Sequence, residues 1–145
     1  MQVDFDADVL IPMIVEASRS ARLFSRLQVL GHEVVASPQI LDEVAEKFRT
    51  KPSLRKWLDL SDEEIEEFLS KLPSLCRMVP GVVNAHGAVP ADPKDDKIVA
   101  AAIEGKADYI ISEDKHLRNL RQHQGIKIMS RDEFMAELDR LTGPE

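Results

Sequence analysis

Apolar residues along this chain fall into two patterns: short continuous runs and longer stretches with helical spacing. The runs predict strands and the stretches predict helices, several of which begin at Ser or Ser-Pro and end at Gly. Strands are expected over residues 3–5, 32–36, 77–80, 107–112 and 126–129. Helices are expected over residues 21–30, 37–49, 61–72, 95–104 and 130–141, with short helical segments at 53–60 and 115–120.

The order of these elements predicts the fold class. Strands that alternate with helices indicate an α/β fold, here a three-layer α/β/α sandwich with a mostly parallel central sheet. The run ADYIIS is typical of a strand covered on both faces. The helix that begins at Ser61 is expected to end at Leu72, because Pro73 follows it. A chain of 145 residues with 43% apolar content suits a single domain over 1–145.

Other features of the sequence favour a cytoplasmic protein that does not enter a membrane. No stretch of 18 apolar residues occurs, so no transmembrane helix is expected. Acidic residues interrupt the first apolar run, unlike the start of a secretory signal. Cys76 is the single cysteine and cannot form an internal disulfide or a cysteine-based zinc site.

The net charge of −7 is unusual for a protein that binds nucleic acid, because phosphates are usually contacted by an excess of Lys and Arg. The charge could simply keep the surface soluble. Alternatively, several carboxylates could be concentrated where divalent cations neutralise them. The positions of the acids decide between these interpretations.

The acids fall where parallel strands end. Ligands of such sheets gather at the carboxyl edge, where the strand-to-helix turns lie. Asp6 and Asp8 follow the first strand, and Glu43 lies near the start of the helix after the second. Asp114 comes two residues after the strand at 107–112. Three further acids surround the helix start near residue 95: Asp92, Asp95 and Asp96.

Helical periodicity separates some of these candidates. Asp95 lies near the middle of the apolar stripe of its helix, so it is expected to point inward. Asp96 falls on the flank of the stripe and Asp92 precedes the helix, so capping explains either of them well. Asp42 and Glu43 flank the stripe of the earlier helix equally, and periodicity does not choose between them.

The opening strand carries Asp4, Asp6 and Asp8 at alternate positions, which would share one face. Like charges about 4 Å apart cost on the order of 4 kcal/mol at an effective dielectric near 20. We therefore expect Asp4 to face solvent, Asp6 to face inward and a cation to be present.

The remaining residue types favour phosphodiester hydrolysis. The four His residues are dispersed, and no serine-hydrolase, Walker-type or dinucleotide-binding motif occurs. Carboxylate oxygens alone suit the hard ions Mg²⁺ or Mn²⁺. Such ions activate water and stabilise the leaving oxygen of a phosphoryl displacement, which requires carboxylates from distant segments and no His.

Four segments of the chain resemble the motifs of PIN domains. VDFDADVL resembles the family's opening and places the first acid at Asp6, whereas SPQILDEV selects Glu43 over Asp42 as the second. DPKDDKIVAAA places the third acid at Asp95. ADYIISEDKHL resembles the fourth motif, with Asp114 as its acid and Ser112 as its hydroxyl companion.

This resemblance implies a PIN-fold ribonuclease similar to the VapC-type toxins of bacterial toxin–antitoxin pairs. Asp6, Asp95 and Asp114 would be the main ligands of Mg²⁺ or Mn²⁺, and Glu43 would orient the attacking water or bind a second ion. Asp8 stands where the family usually has Asn, so it either braces the turn or adds a ligand charge. Such toxins cleave RNA, form homodimers and are blocked by a cognate antitoxin.

Two alternatives remain open. The first is a catalytically inactive PIN-like module that binds RNA or a protein partner through its acidic pocket. The second is a haloacid-dehalogenase-type phosphatase, because DFDAD carries the D-x-D pattern at a strand end. Asp4 would then be the nucleophile and Asp6 the acid/base, although no cap-sized insertion is present.

Overall fold

A computed structural model describes residues 1–143 of the chain. The domain predicted over 1–145 therefore extends two residues beyond the described part. Six strands form one sheet in the spatial order β3-β2-β1-β4-β6-β5. The strands are β1 (Gln2–Phe5), β2 (Glu33–Ala36), β3 (Arg77–Met78), β4 (Tyr109–Ile111), β5 (Gln122–His123) and β6 (Ile126–Met129).

Eight α-helices and two 3₁₀ turns connect the strands in the described part of the chain. The helices are α1 (Ala7–Leu10), α2 (Arg19–Val29), α3 (Pro38–Thr50), α4 (Pro52–Leu58), α5 (Asp62–Leu75), α6 (Asp96–Glu104), α7 (Lys115–Arg118) and α8 (Arg131–Thr142). The 3₁₀ turns cover Ile11–Ile14 and Pro93–Asp95.

The strands pair in parallel except at one edge, where β5 runs antiparallel to β6. β1 lies between β2 and β4, and its Val3 and Phe5 are fully buried. Helix α6 packs against β1, β2 and β4, and helix α2 packs against β2 and α8. The predicted α/β/α sandwich with a mostly parallel sheet is confirmed.

Local sequence signals account for most helix ends. Ser18, Ser37, Ser61 and Ser130 each accept a backbone hydrogen bond as the N-cap of a helix, and Ser61 and Ser130 form complete capping boxes. Gly105 ends α6 at a close approach to the sheet. A Cβ there would lie 2.6 Å from a methyl carbon of Val35.

The structure differs from the sequence-based prediction in two elements. Helix α5 continues through Pro73 to Leu75 and does not end at Leu72. Pro73 lies in the last turn, where the loss of one N–H donor interrupts little of the helix. Strand β5 was not predicted, because two residues carry no periodicity. Its hairpin turn has positive φ at both Gln124 and Gly125, the pattern of a tight two-residue turn.

None of the helices over residues 1–143 combines the length and the apolar character needed to span a bilayer.

Candidate metal centre

A cavity of about 750 Å³ opens at the carboxyl edge of the sheet and is rich in charged groups. It brings together all four acids that the sequence singled out as ligands: Asp6, Glu43, Asp95 and Asp114. Four other acids also line it: Asp8, Asp42, Glu46 and Asp92. The remaining lining residues are Gln39 and five cationic residues: Lys47, Arg49, Lys51, Lys94 and Lys97.

Three carboxylates in this cavity lie close enough to share one ion. Asp92, Asp95 and Asp114 each place a carboxylate oxygen within 4.8 Å of the other two. Oxygen ligands at about 2.1 Å from an octahedral Mg²⁺ lie about 3 to 4.2 Å from one another, so a small side-chain adjustment completes the geometry. Asp92, which sequence reasoning explained by capping, therefore belongs to this cluster. It also caps the 3₁₀ turn by accepting a hydrogen bond from the Lys94 N–H at 3.3 Å.

Ser112 connects the first and last acids of the site. Its hydroxyl donates a hydrogen bond to Oδ2 of Asp6 at 2.7 Å and accepts one from the backbone N–H of Asp114 at 3.0 Å. The other oxygen of Asp6 accepts from the Ala7 N–H at 2.6 Å. Burial raises the pKa of Asp6, whereas the bonds from Ser112 and Ala7 oppose that rise. These bonds fix the carboxylate of Asp6 beside the backbone of Asp114, whose own carboxylate accepts from the His116 N–H at 2.7 Å.

Asp95 is the buried member of the three-carboxylate group. Its side chain is buried, and Oδ2 accepts no hydrogen bond from residues 1–143. Burial raises the pKa of Asp95 to about 7, with further contributions from Asp6, Asp114, Asp92 and Glu43. A buried carboxylate among other carboxylates is unfavourable unless a cation compensates it.

Asp96 occupies a different place from Asp95. Its carboxylate accepts hydrogen bonds from the backbone N–H groups of Gly87 at 3.0 Å and Val89 at 2.8 Å. These bonds organise the loop before α6, and Asp96 is not among the residues that line the acidic cavity. The structure therefore separates the two neighbouring acids that the sequence left as alternatives.

Asp8 lies on α1, at the cavity. One oxygen of its carboxylate holds the backbone of a neighbouring loop, and the other is unpaired among residues 1–143. Its Oδ2 accepts from the Glu113 N–H at 3.2 Å, whereas Oδ1 is buried without a partner in the described part of the chain. Burial, followed by the charge of Asp6, raises the pKa of Asp8 to about 7. Asp8 therefore performs the bracing role expected of an amide at this position while adding a carboxylate to the cavity.

Glu43 is paired with two lysines at the cavity. Its oxygens lie 2.7 Å from Nζ of Lys97 and 3.9 Å from Nζ of Lys47. Lys47 follows Glu43 by four residues, so helical spacing predicts that contact. Sequence reasoning missed Lys97, which lies on α6 and far away along the chain. Asp42 also lines the cavity, consistent with the equal flanking positions of these two acids on α3.

The expectation that Asp4 faces solvent is wrong. The residue is 0% exposed, and neither carboxylate oxygen has a hydrogen-bond partner among residues 1–143. Asp4 lies on the central strand β1 and pairs with Val35 of β2 and Ile110 of β4. This strand has no solvent face, because helices cover both sides of the sheet. Burial, and then the charge of Asp6, raise its pKa well above the ordinary value. A side chain without access to solvent cannot serve as the nucleophile of a phosphatase.

Comparison with known proteins identifies the family. The family model described as a PIN domain matches residues 2–116. In fold, the chain is similar to VapBC2 from Rickettsia felis, crystallised bound to a promoter DNA fragment. The TM-score is 0.63 at 11% sequence identity, over 90% of this chain and 98% of that one. It is also similar to PAE2754 from Pyrobaculum aerophilum, with a TM-score of 0.58 at 11% identity over 97% and 90% of the two chains.

No curated protein matches the sequence. The family model nevertheless covers most of the chain, including the segments that carry Asp6, Glu43, Asp95 and Asp114. The structural similarities agree with it at the level of the fold. The chain therefore belongs to the PIN domain family.

Proposed function

We propose that this chain is a metal-dependent endoribonuclease that hydrolyses RNA phosphodiester bonds at its acidic cavity. One observation carries the proposal: carboxylates from four separate segments of the chain converge on one cavity without an equal number of cations beside them. Such an arrangement destabilises the fold unless it serves a bound cation. The PIN domain family membership agrees with this function.

The residues present fit a divalent ion. The donor set consists of carboxylate oxygens, which suit Mg²⁺ or Mn²⁺ better than softer metals. Three of these oxygens lie within 4.8 Å of one another. These three belong to Asp92, Asp95 and Asp114, whereas Asp6 lines the same cavity outside that group. The unpaired Oδ2 of Asp95 supplies a buried polar atom that needs a positive partner. We assign Asp6, Asp95 and Asp114 as the main ligands, with Asp92 as an additional ligand.

When bound, such an ion would activate water and stabilise the leaving oxygen of a phosphodiester. The chain's own residues prepare the site for that chemistry. Ser112 holds Asp6 and the N–H of Asp114 in one hydrogen-bonded unit. Glu43, held at the cavity by Lys97, is positioned to orient the attacking water or to support a second ion.

The direct test is cleavage of an unstructured RNA by the purified chain with Mn²⁺, with Mg²⁺ and with EDTA. We expect cleavage with either metal and none in EDTA. Asp95→Asn removes a ligand charge while conserving side-chain size, so it should lower the cleavage rate about a hundredfold or more. Its matched control is Asp132→Asn on α8, whose exposed carboxylate lies outside the cavity and should change the rate less than twofold.

Each outcome has a defined meaning. Full activity of Asp95→Asn would contradict its role as a ligand. RNA binding without cleavage under any metal condition would contradict the nuclease and would instead support an inactive PIN-like binding module.

We also propose that this protein is the toxin of a toxin–antitoxin pair, acting as a homodimer. Support comes from the similarity in fold to VapBC2, a complex bound to promoter DNA. Two measurements test the proposal. The mass in solution, measured by light scattering, should be twice the 16.3 kDa of the chain. Co-expression with the product of an adjacent small gene should suppress cleavage, and a monomer or undiminished cleavage would count against the respective statement.

A further inference from the structure

A basic segment borders the acidic cavity. From Lys47 to Leu58 the sequence KFRTKPSLRKWL holds five cationic residues and no acid, in a chain with net charge −7. Three of the five cations also line the cavity: Lys47, Arg49 and Lys51. Three of the five are paired with acids outside the segment: Lys47 with Glu43, Arg49 with Glu46 and Arg55 with Asp62. Among the described residues, Lys51 and Lys56 therefore supply the uncompensated positive charge of the segment.

This segment also presents an exposed aromatic ring. Trp57, the single tryptophan of the chain, is 82% exposed on α4. The helix beneath it is held in place, because Leu54 packs against the core and Arg55 donates to the Phe48 carbonyl at 3.1 Å. Arg55 also pairs with Asp62. The ring of Trp57 is thus exposed on a helix that is anchored to the rest of the fold.

Two cations of the same segment have no competing partners in the described part of the chain. Among residues 1–143, the side chains of Lys51 and Lys56 make no hydrogen bond or ion pair. Lys51 immediately precedes α4, and Trp57 follows it by six residues, about 9 Å along a helix axis. Proteins bind single-stranded nucleic acids with exposed aromatic rings, on which bases stack, and with cationic groups that contact the backbone. Segment 47–58 offers both, and its first residues line the acidic cavity.

We propose that the segment 47–58 is the platform that binds single-stranded RNA, with Trp57 stacking on an unpaired base and Lys51 and Lys56 contacting phosphates. This inference rests on the proposed function and narrows its substrate to strands with unpaired bases, because a base inside a duplex cannot stack on a protein ring. Tryptophan is also enriched in protein interfaces, but lysines are depleted in their centres, so Lys51 and Lys56, unpaired among residues 1–143, favour RNA over a protein partner. The cavity-lining Lys47 and Arg49 would continue the path of the strand toward the candidate metal centre.

The single tryptophan provides a direct readout. Fluorescence of the full chain is titrated in EDTA with an unstructured RNA oligonucleotide and, separately, with a duplex of the same length. EDTA prevents metal-dependent cleavage, so binding is observed alone. We expect saturable quenching by the single strand and at least tenfold weaker binding of the duplex. Equal quenching by both, or none by the single strand, would overturn the proposal.

Substitutions separate stacking from charge, with affinity measured by the anisotropy of labelled RNA. Trp57→Ala should weaken binding about 5- to 150-fold, the range for loss of one base–aromatic stack, and Trp57→Phe should retain most of the affinity. The matched control is Val29→Ala, which truncates an apolar side chain that is 86% exposed and lies outside the cavity. Unchanged affinity of Trp57→Ala would remove the stacking role.

The double variant Lys51→Ala/Lys56→Ala should lower the slope of log affinity against log salt by about 1.4, since each phosphate contact on a single strand contributes about 0.7. Arg19→Ala/Arg22→Ala removes the same charge from α2, outside the cavity, and should leave the slope unchanged. Equal effects of the two pairs would show that only the net charge matters and would overturn the phosphate contacts.

Failure of the platform and failure of the nuclease are distinguishable. Metal-dependent cleavage with an unchanged KM in Trp57→Ala would refute the platform and leave the nuclease intact. Fluorescence quenching by single-stranded RNA without any cleavage would support the platform and refute the nuclease. A fluorescence change that depends on protein concentration alone, accompanied by dimer formation and no response to RNA, would show that a second copy covers Trp57 and would also overturn the proposal.

Discussion

Carboxylates have opposite surroundings in the acidic cavity and on the face formed by α2 and α8. Along α2 and α8, carboxylates are paired with arginines. The N···O distances are 2.6 Å for Arg26–Asp139 and 2.6 Å for Arg140–Glu137. Arg131 of α8 also lies 2.9 Å from Glu113, in the loop between β4 and α7. The hydrogen bond from Arg140 lowers the pKa of Glu137. Glu137 therefore stabilises the fold in its charged form.

In the cavity, carboxylates face other carboxylates. The pKa values of Asp8 and Asp95 are raised to about 7 by burial and by neighbouring acids. Their charged forms therefore destabilise the metal-free fold. The ion pairs of the α2–α8 face therefore support the fold, whereas the cavity acids lower its stability. A cation that binds in the cavity would restore that stability.

The largest expected change in the free energy of unfolding comes from binding of a metal ion in the acidic cavity. Mn²⁺ at about a hundred times its Kd should stabilise the wild type by about 2.7 kcal/mol, equivalent to ~8 °C in Tm for a chain of this size. Asp95→Asn should shift by less than half as much, because one ligand charge is lost. Asp132→Asn, changed outside the cavity, should behave as the wild type. Differential scanning fluorimetry measures all three, and equal shifts would contradict a metal site at Asp95.

Substitutions that remove ion pairs from the α2–α8 face should lower the free energy of unfolding without changing the stabilisation by Mn²⁺. The guanidinium of Arg26 is 8% exposed beside Asp139. Arg26→Ala should therefore cost about 2 kcal/mol of unfolding free energy, from lost packing and a lost partner. Arg19→Ala, from an exposed pair at 3.4 Å, should cost less than about 0.5 kcal/mol. Urea denaturation checks both, and similar costs would contradict the burial argument.

The pH dependence should have opposite signs in the two regions. The folded metal-free protein binds more protons at Asp8 and Asp95 than the unfolded chain between about pH 4 and 7. Its free energy of unfolding should therefore fall by ~1 kcal/mol as pH rises from 5 to 8, a figure reduced for solvent screening in the open cavity. Glu133 and Glu137, whose pKa values are lowered, contribute stability that is lost below about pH 4.5.

A control separates these contributions. Asp95→Asn should flatten the fall between pH 5 and 8 while leaving the acid limb unchanged. The measurement is urea denaturation in EDTA across the pH series. A stability that rises from pH 5 to 8 in the wild type would show that the cavity acids are not destabilising.

Much of the fold and of the candidate site was accessible from the sequence because both rest on local signals. Serine caps marked the starts of α2, α3, α5 and α8. Apolar runs marked the central strands. The rule that parallel strands present their carboxyl ends at one edge brought Asp6, Glu43, Asp95 and Asp114 to the same cavity. Helical periodicity and the third motif both favoured Asp95 over Asp96.

Other features depended on contacts between distant segments. The burial of Asp4 follows from the central place of β1, whereas alternation along one strand predicted solvent exposure. The pairing of Glu43 with Lys97 joins α3 to α6, and no local spacing encodes it. Asp92 enters the cluster with Asp95 and Asp114 because a 3₁₀ turn rather than a regular helix carries it there.

The sequence by itself determined the central strands and the longer helices, and it brought Asp6, Glu43, Asp95 and Asp114 to the carboxyl edge of the sheet. Hydrophobic periodicity and capping are local properties that a single chain displays directly. The tertiary structure alone decided that Asp4 is buried, that Glu43 pairs with Lys97, and that Oδ2 of Asp95 has no hydrogen-bond partner among residues 1–143. Burial and electrostatic pairing arise from segments that are remote in the chain and meet only when the layers of the fold pack together.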